Sequence, residues 1–152
     1  AELGRAGFTH GHTYVGHATA CAAGLAVQRV MDRDGLLEQV RLKGECLLEL
    51  LRETFADHPR VGDVRGRGLF AAIELVSDRQ TRAGFENGAA LPDELRTAAM
   101  AEGLVCYPEG ILVDGAMVPH VMLAPPAIAT EADLAEGVRR LSATLAAVLG
   151  PA

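Results

Sequence analysis

Apolar residues recur every three or four positions over two long stretches of the chain, a spacing that predicts amphipathic helices. The stretch from Asp34 to about Ala56 carries one apolar stripe, with charged residues on the opposite face; the stripe comprises Leu37, Val40, Gly44, Leu48, Leu51 and Phe55. The final stretch repeats leucine and valine in the same way and stops at Gly150-Pro151. At its start, Thr130 and Asp133 resemble a capping box with Asp in place of Glu.

An earlier helix, predicted from His17 to about Arg33, has a different composition. Residues 18–27 are almost entirely small and apolar. Because a helix that is apolar all round is normally buried, we expect the start of this helix to be covered on all sides. Residues 1–16 contain glycine and histidine but show no helical period, and are predicted to form an arm without regular structure.

The middle of the chain is predicted to begin with a β-hairpin. Val61–Gly66 and Leu69–Val76 have the composition of two short strands, joined by the turn Gly66-Arg67-Gly68. Segment 77–90 is polar and contains glycine, and it is longer than most connections.

A third helix and two more short strands are predicted after this segment. Pro92 suits the first turn of a helix, and Gly103 suits the position just past its end. Strands are predicted over Leu104–Tyr107 and His120–Leu123, separated by a loop from Pro108 to Pro119.

The predicted order of elements is therefore α-α-β-β-α-β-β-α. Strands joined by tight turns favour an antiparallel or mixed sheet with helices on one face. The predicted fold class is α+β.

Composition narrows the function mainly by exclusion. Of the 152 residues, 49% are hydrophobic and 22% are charged, a balance that excludes general disorder. No apolar run reaches the length of a membrane span. A formal charge of −6 argues against non-specific nucleic-acid binding. No signal peptide is visible, and Cys21, Cys46 and Cys106 are widely spaced, so we expect a cytoplasmic protein without disulfides.

The densest cluster of chemical groups is the segment His10–His17, which holds three histidines. Because no acidic residue or cysteine adjoins them, metal binding is the weakest interpretation. An anion site is favoured by Gly11 and Gly16, which let the backbone approach a ligand, by the hydroxyl of Thr13, and by the helix N-terminus that follows. The alternative is a loop whose threonine and histidines merely cap the helix.

Two other candidates have simpler structural explanations. Lys43, the only lysine, lies beside the apolar stripe, which is typical of a side chain whose stem covers the edge of the core. Arg65 and Arg67 could bind a carboxylate or phosphate, but an ion pair with Asp63 or Glu74 is the simpler expectation.

Three ordered motifs span the chain: Phe8–His17 with Ala20–Ala23, then Val61–Leu69, then His120–Pro126 with Thr130-Glu131. Together they closely resemble the class III (omega-type) aminotransferases, which depend on pyridoxal 5′-phosphate. The resemblance covers essentially the whole chain, and the order of the three motifs makes it specific.

The resemblance implies that the chain is the C-terminal third of a fold type I enzyme. Residues 1–33 then form the end of the large cofactor domain, an arm and an interdomain helix, and residues 34–152 form the small C-terminal α+β domain. The family's Schiff-base lysine, the acidic partner of the pyridine nitrogen and the ring-stacking aromatic all precede the first motif. No catalytic residue is therefore expected in this chain, and Lys43 is not at the family's lysine position.

One set of cofactor contacts is expected here. The resemblance implies that Thr13 donates a hydrogen bond to the cofactor phosphate of the neighbouring subunit in a homodimer. His12 and Gly11 flank Thr13 and are expected to add backbone contacts.

The chain departs from the family pattern at two positions. The family often has Pro where Ala18 stands, a change expected to affect entry into the helix rather than chemistry. Some members bind the substrate α-carboxylate through an Arg two residues before Ala-Pro-Pro, and Met122 occupies that position here. Either another residue binds the carboxylate or the substrate is an amine without one.

The leading hypothesis is the C-terminal part of an enzyme that moves an amino group from an amine or amino acid to a keto acid or aldehyde, inactive as an isolated chain. The alternative is a stand-alone, non-catalytic α+β module that binds a small molecule or anion. Neither hypothesis involves nucleic acid or a membrane.

Overall fold

The computed structural model describes residues 10–150. The chain divides into two compact units, Ala1–Leu36 and Leu37–Ala152. The elements follow the order α-α-β-β-α-β-β-α, as predicted. None of the helices between residues 10 and 150 combines the length and the apolar composition that a membrane span requires.

The first unit contains helix α1, which spans Ala18–Arg33 and confirms the predicted helix. Its N-cap is His17, whose Nδ1 accepts a hydrogen bond from the backbone N–H of Ala20 at 3.2 Å. None of the residues of α1 is buried, so the prediction that its start is covered on all sides is wrong for this chain. Alanine favours a helix by intrinsic propensity, so this composition forms one without any cover.

Helix α2 spans Leu36–Thr54 and presents its apolar face to the core of the second unit. Leu47 and Leu51 are fully buried, whereas Leu37, which belongs to the predicted stripe, is 69% exposed. The stripe therefore begins later than predicted and is centred on Leu47 and Leu51.

Gly44 allows α2 to pack closely on the first hairpin. A Cβ atom at Gly44 would overlap the backbone of Gly68 in the turn between the strands. Gly68 itself has φ +56°, in the left-handed region that favours glycine. The two glycines thus fix the helix against the turn with no side chain between them.

Four antiparallel strands form one sheet in the order β1-β2-β4-β3. Their bounds are β1 Val61–Arg67, β2 Phe70–Leu75, β3 Tyr107–Val113 and β4 Ala116–Leu123. The first hairpin agrees with the prediction, and the sheet confirms the antiparallel alternative.

The second hairpin corrects the sequence prediction. The predicted strand Leu104–Tyr107 and the predicted loop Pro108–Pro119 are wrong, because most of that loop forms β3 and the first half of β4. Proline cannot donate to a ladder, which argued against strands here. However, β3 is an edge strand, and the pairing of β4 with β2 begins only at His120, so Pro119 lies where β4 has one partner strand.

The helices cover one face of the sheet, as predicted for an α+β fold. Helix α3 spans Leu91–Ala101 and helix α4 spans Glu131–Leu149. Alternate residues of the two central strands are buried against leucines of α2, α3 and α4; these strand residues are Ala71, Ile73, Leu75, Val121 and Leu123. We call the opposite side, with the intervening residues, the open face.

Helix α4 begins at the predicted capping box. Thr130 Oγ1 accepts a hydrogen bond from the backbone N–H of Asp133 at 3.2 Å, and the Asp133 carboxylate accepts one from the backbone N–H of Thr130 at 2.8 Å. The two bonds satisfy backbone donors that a helix start otherwise leaves unpaired.

Segment 77–90 is a folded connection rather than an open loop. Its first part is closed by a hydrogen bond from the backbone N–H of Ser77 to the carbonyl of Ala83 at 2.8 Å. Phe85 then pairs with Met117 of β4, and the segment ends in a 3₁₀ turn at Gly88–Ala90.

Candidate functional site

The segment His10–His17 precedes α1 as a pair of turns, and its residues are exposed. One backbone hydrogen bond runs from the N–H of Val15 to the carbonyl of His12 at 3.0 Å, and another from the N–H of His17 to the carbonyl of Tyr14 at 3.1 Å. The predicted arm is therefore confirmed for its described part, while residues 1–9 lie outside the described residues.

Three features of this segment suit an anion. The position of a Cβ at Gly11 has no atom within 4 Å among the residues described, so the backbone there is open to a ligand. Thr13 is exposed, and its hydroxyl has no hydrogen-bond partner in the described part of the chain. In the first turn of α1, the N–H groups of Ala18 and Thr19 have no intrahelical acceptor and lie at the positive end of the helix dipole.

The histidines of the segment take part in a helix cap and a ring contact. His17 uses its Nδ1 to cap α1, so the capping alternative is correct for this residue. The rings of His10 and His12 meet edge to face with centroids 5.8 Å apart. Within residues 10–150, no group of three or more His, Cys, Asp or Glu side chains is placed to hold a metal ion.

Lys43 is a structural tether. Its Nζ donates to the side-chain oxygen of Gln39 at 3.0 Å and to the carbonyl of Ala127 at 2.9 Å. Ala127 follows the Pro125-Pro126 pair, so the lysine joins α2 to the segment between β4 and α4. These bonds give Lys43 a structural role, in which the ammonium holds a specific carbonyl rather than simply reaching solvent.

Arg65 forms the ion pairs expected for it. Its Nη1 lies 2.9 Å from a carboxylate oxygen of Asp63 and 2.9 Å from one of Glu74. Hydrogen bonds to both carboxylates raise the pKa of the guanidinium above its usual value. Arg65 is therefore neutralised locally, whereas Arg67 at the end of β1 is exposed.

Cys46 and Cys106 lack the surroundings of a reactive thiol. Burial is the main cause that raises the pKa of Cys46 and that of Cys106, and a raised pKa disfavours the nucleophilic thiolate. All three cysteines are free, and Cys21 is exposed on α1.

Sequence comparison decides the family. The aminotransferase class-III family matches residues 2–145 of the chain. The chain therefore belongs to the class-III aminotransferase family. This confirms the resemblance drawn from the three motifs.

Two curated relatives illustrate how much of a class-III aminotransferase is present. An uncharacterized aminotransferase of Schizosaccharomyces pombe is 41% identical over 139 residues, which cover 88% of this chain and 29% of the relative. A diaminobutyrate–2-oxoglutarate transaminase of Halomonas elongata is 37% identical over 133 residues, which cover 86% of this chain and 27% of the relative. The chain thus spans less than a third of the length of these relatives.

Solved structures of transaminases share the fold. A thermostable (S)-enantioselective omega-transaminase from Thermomicrobium roseum matches with a TM-score of 0.79 and 29% identity, over 94% of this chain and 30% of that one. An amine transaminase from an uncultivated Pseudomonas species, in its PLP-bound form, matches with a TM-score of 0.78 and 33% identity, over 93% of this chain and 30% of that one.

In this class-III chain, Met122 lies on the open face of the sheet. It is paired in register with Ala72 of β2 and Tyr107 of β3, and Ala72 is in turn paired with Arg65 of β1. The only cation in this described row is thus the guanidinium already bound by two carboxylates. Met122 and its row offer no uncommitted positive charge to a substrate carboxylate.

His58 is a chemically notable residue that the sequence analysis did not select. It lies in the turn between α2 and β1 and is only 5% exposed. In the sequence, the pair His58-Pro59 indicates only that the preceding predicted helix ends there. It gives no reason to expect a buried imidazole.

Proposed function

We propose that this chain is the C-terminal portion of a pyridoxal 5′-phosphate-dependent aminotransferase. The complete enzyme would transfer an amino group from an amine or amino acid to a keto acid or aldehyde. The observation that carries this proposal is the class-III match over residues 2–145, combined with coverage of less than a third of the relatives. Residues 1–33 are assigned to the end of the large domain, and residues 34–152 to the small domain.

The segment before α1 is proposed to bind the cofactor phosphate. Thr13 donates its hydroxyl to a phosphate oxygen, while the backbone at Gly11 and His12 approaches the same group. The exposed hydroxyl, the open space at Gly11 and the free N–H groups at the start of α1 fit a phosphate. When bound, pyridoxal phosphate supplies the electron-accepting ring on which transamination depends.

The proposal includes a homodimer in which Thr13 serves the cofactor of the neighbouring subunit. The arm is exposed in this chain, which leaves its donors accessible to another subunit. A cytoplasmic setting is also proposed, since the three cysteines are free.

A substrate preference is proposed from Met122. Because this position holds a thioether instead of a guanidinium, the carboxylate contact implied for some family members is missing. We expect amines without an α-carboxylate to be accepted at least as well as α-amino acids, unless another cation binds the carboxylate.

The isolated chain is proposed to be inactive. Class-III catalysis uses a lysine that precedes the first motif, and the only lysine here is tethered to Ala127 and Gln39. The purified chain with added pyridoxal phosphate should give no transaminase turnover. Borohydride reduction followed by peptide mapping should find no stoichiometric adduct at Lys43. Turnover or a full adduct would refute this part of the proposal.

The phosphate contact should be tested in a protein that contains this chain together with any residues encoded upstream of residue 1. Thr13→Ala should raise the Kd for pyridoxal phosphate about tenfold or more, because a hydrogen bond to a charged group is worth roughly 1.5–3 kcal/mol. Thr13→Ser keeps the hydroxyl and should bind normally, as should the matched control Thr19→Ala in α1. Unchanged affinity in Thr13→Ala would remove Thr13 from the site.

The coding sequence upstream of residue 1 separates the two hypotheses. If it encodes an in-frame α/β domain with a lysine at a strand end, the aminotransferase proposal holds. If a start codon or an unrelated domain lies there, a non-catalytic binding module becomes the better account.

A further inference from the structure

His58 occupies a closed position where the chain leaves α2 and enters β1. Its backbone N–H donates to the carbonyl of Phe55 at 3.2 Å, and its own carbonyl accepts from the N–H of Val61 at 3.2 Å. The imidazole lies edge to face against the Phe55 ring, with centroids 5.8 Å apart. The ring is therefore part of the packed turn rather than a surface group.

The imidazole is held in one protonation state by its hydrogen bond. Nδ1 of His58 accepts from the backbone N–H of Arg60 at 3.1 Å. An acceptor nitrogen carries no proton, so protonation at Nδ1 would replace this bond by a contact between two N–H groups. Proton binding and this hydrogen bond exclude each other.

Two arginines tie this turn to the beginning of segment 77–90. The guanidinium of Arg79 donates to the carbonyl of Ala56 at 2.5 Å and is 3.4 Å from that of His58. The guanidinium of Arg60 donates to the carbonyl of Ser77. A backbone bond of 2.9 Å from the N–H of Val76 to the carbonyl of Arg60 lies beside them.

The charges around His58 oppose a positive imidazole. Arg60 belongs to the same turn and Arg79 to the segment packed against it, while Arg52 of α2 lines an adjoining cavity with Arg79. Burial lowers the pKa of His58 below its usual value, and the charges of Arg60 and then Arg79 lower it further.

Two carboxylates of the neighbouring elements are engaged elsewhere, while Asp57 directly precedes His58 in the same turn. Asp63 of β1 lines the same cavity as Arg52 but is ion-paired with Arg65. Asp78 accepts hydrogen bonds from the N–H and the hydroxyl of Thr81 at 2.7 and 2.9 Å. Neither is placed as a partner for a protonated imidazole.

We propose that His58 is a pH-sensitive clasp. In its neutral form it closes the turn between α2 and β1 and holds residues 76–79 against that turn. When it takes up one proton, the bond to the Arg60 N–H is lost, repulsion from Arg60 and Arg79 increases, and residues 76–79 are released.

The direction of the pH effect follows from the lowered pKa. The unfolded or released form binds the proton near the ordinary value of 6.5, whereas the closed form binds it only at lower pH. The closed form is therefore fully favoured above about pH 6.5 and loses stability as the pH falls toward the pKa of the closed form. Each unit of difference between the two pKa values changes the equilibrium about tenfold.

The clasp is tested by amide exchange of the full chain, corrected for intrinsic rates, at about pH 7.5 and about pH 5.5, on either side of an ordinary histidine pKa. Protection of the Arg60 and Val76 amides should fall by up to about tenfold at the lower pH. His58→Asn should remove this pH dependence, because its side-chain oxygen also accepts from the N–H two residues on but does not titrate. His120→Asn, on the open face, is the matched control and should retain it.

Equal protection at both pH values in the wild-type chain would overturn the proposal, as would the same pH dependence in His58→Asn. If His58→Asn does not fold, NMR titration of the wild-type imidazole decides. His58 must then titrate below the ordinary histidine pKa of 6.5, together with the shift of the Arg60 amide. Titration of His58 at or above that value would also overturn the proposal.

Discussion

The two units of the chain differ in what holds them together. In the second unit, leucines from three helices fill one face of a four-stranded sheet, and Leu51, Leu141 and Leu145 are completely buried. In the first unit, α1 has no buried residue, and the exposed segment before it carries the candidate phosphate contacts. Burial and candidate chemistry are thus separated along the chain. We therefore expect the candidate site residues to contribute little to stability, and the core residues to contribute little to the candidate site.

Among the substitutions that test this contrast, removal of a core leucine should change the free energy of unfolding most. Leu141→Ala should lower the free energy of unfolding by about 2–5 kcal/mol, because it removes a fully buried side chain and leaves a cavity. Leu25→Ala in α1 removes the same atoms from a residue that is 57% exposed, and should change it by less than about 0.5 kcal/mol. Urea unfolding of the two variants measures both values.

A comparable loss in the two variants would contradict the contrast. It would mean that α1 is covered in solution, as it would be in a self-associated form. Repeating the Leu25→Ala measurement at two protein concentrations separates that case, because stability that depends on association depends on concentration.

The next effect uses a matched pair of helical glycines. Gly44→Ala should destabilise by roughly 1–3 kcal/mol or more, since the added methyl overlaps the backbone of Gly68. Gly24→Ala in α1 meets no atom within 4 Å in the described structure, and should stabilise its helix by about 0.5–1 kcal/mol. Urea unfolding measures the stability of Gly44→Ala, and helical circular dichroism measures the helix content of Gly24→Ala. If both substitutions stabilise, or both destabilise, the expected difference between the two glycines is contradicted.

The sequence predicted the fold best where a local signal agreed with the tertiary structure. The capping box at Thr130 and Asp133 marked the start of α4, and the apolar repeat marked its buried face. The second hairpin was missed because Pro108 and Pro119 argued against strands. The pair Asp114-Gly115 is typical of a tight hairpin turn, and its residues have φ of +50° and +86° in the structure. This turn signal was present in the sequence and favoured a hairpin in spite of the two prolines.

The candidate site and His58 show which features local sequence patterns can predict and which they cannot. Glycine, threonine and a following helix predicted an exposed anion-binding turn from local features alone, and the described geometry around Gly11 and Thr13 suits it. The surroundings of His58 bring together Phe55 and the Arg60 N–H at its ring and Arg79 at its carbonyl. No local pattern encodes such a meeting, because Arg79 comes from beyond the next two strands.

The smallest expected effect concerns Ala18, where the family often has proline. Residue 18 is the first of α1, so its N–H has no intrahelical acceptor to lose, and His17 already has the extended conformation that precedes proline readily, with φ −63° and ψ 110°. Ala18→Pro should therefore leave α1 intact or stabilise it by about 0.4–1 kcal/mol. Ala22→Pro is the matched control, and in the helix interior it should cost about 3 kcal/mol. Amide-exchange protection across α1 compares the two, and loss of protection in Ala18→Pro would mean that entry into the helix depends on a backbone bond at residue 18.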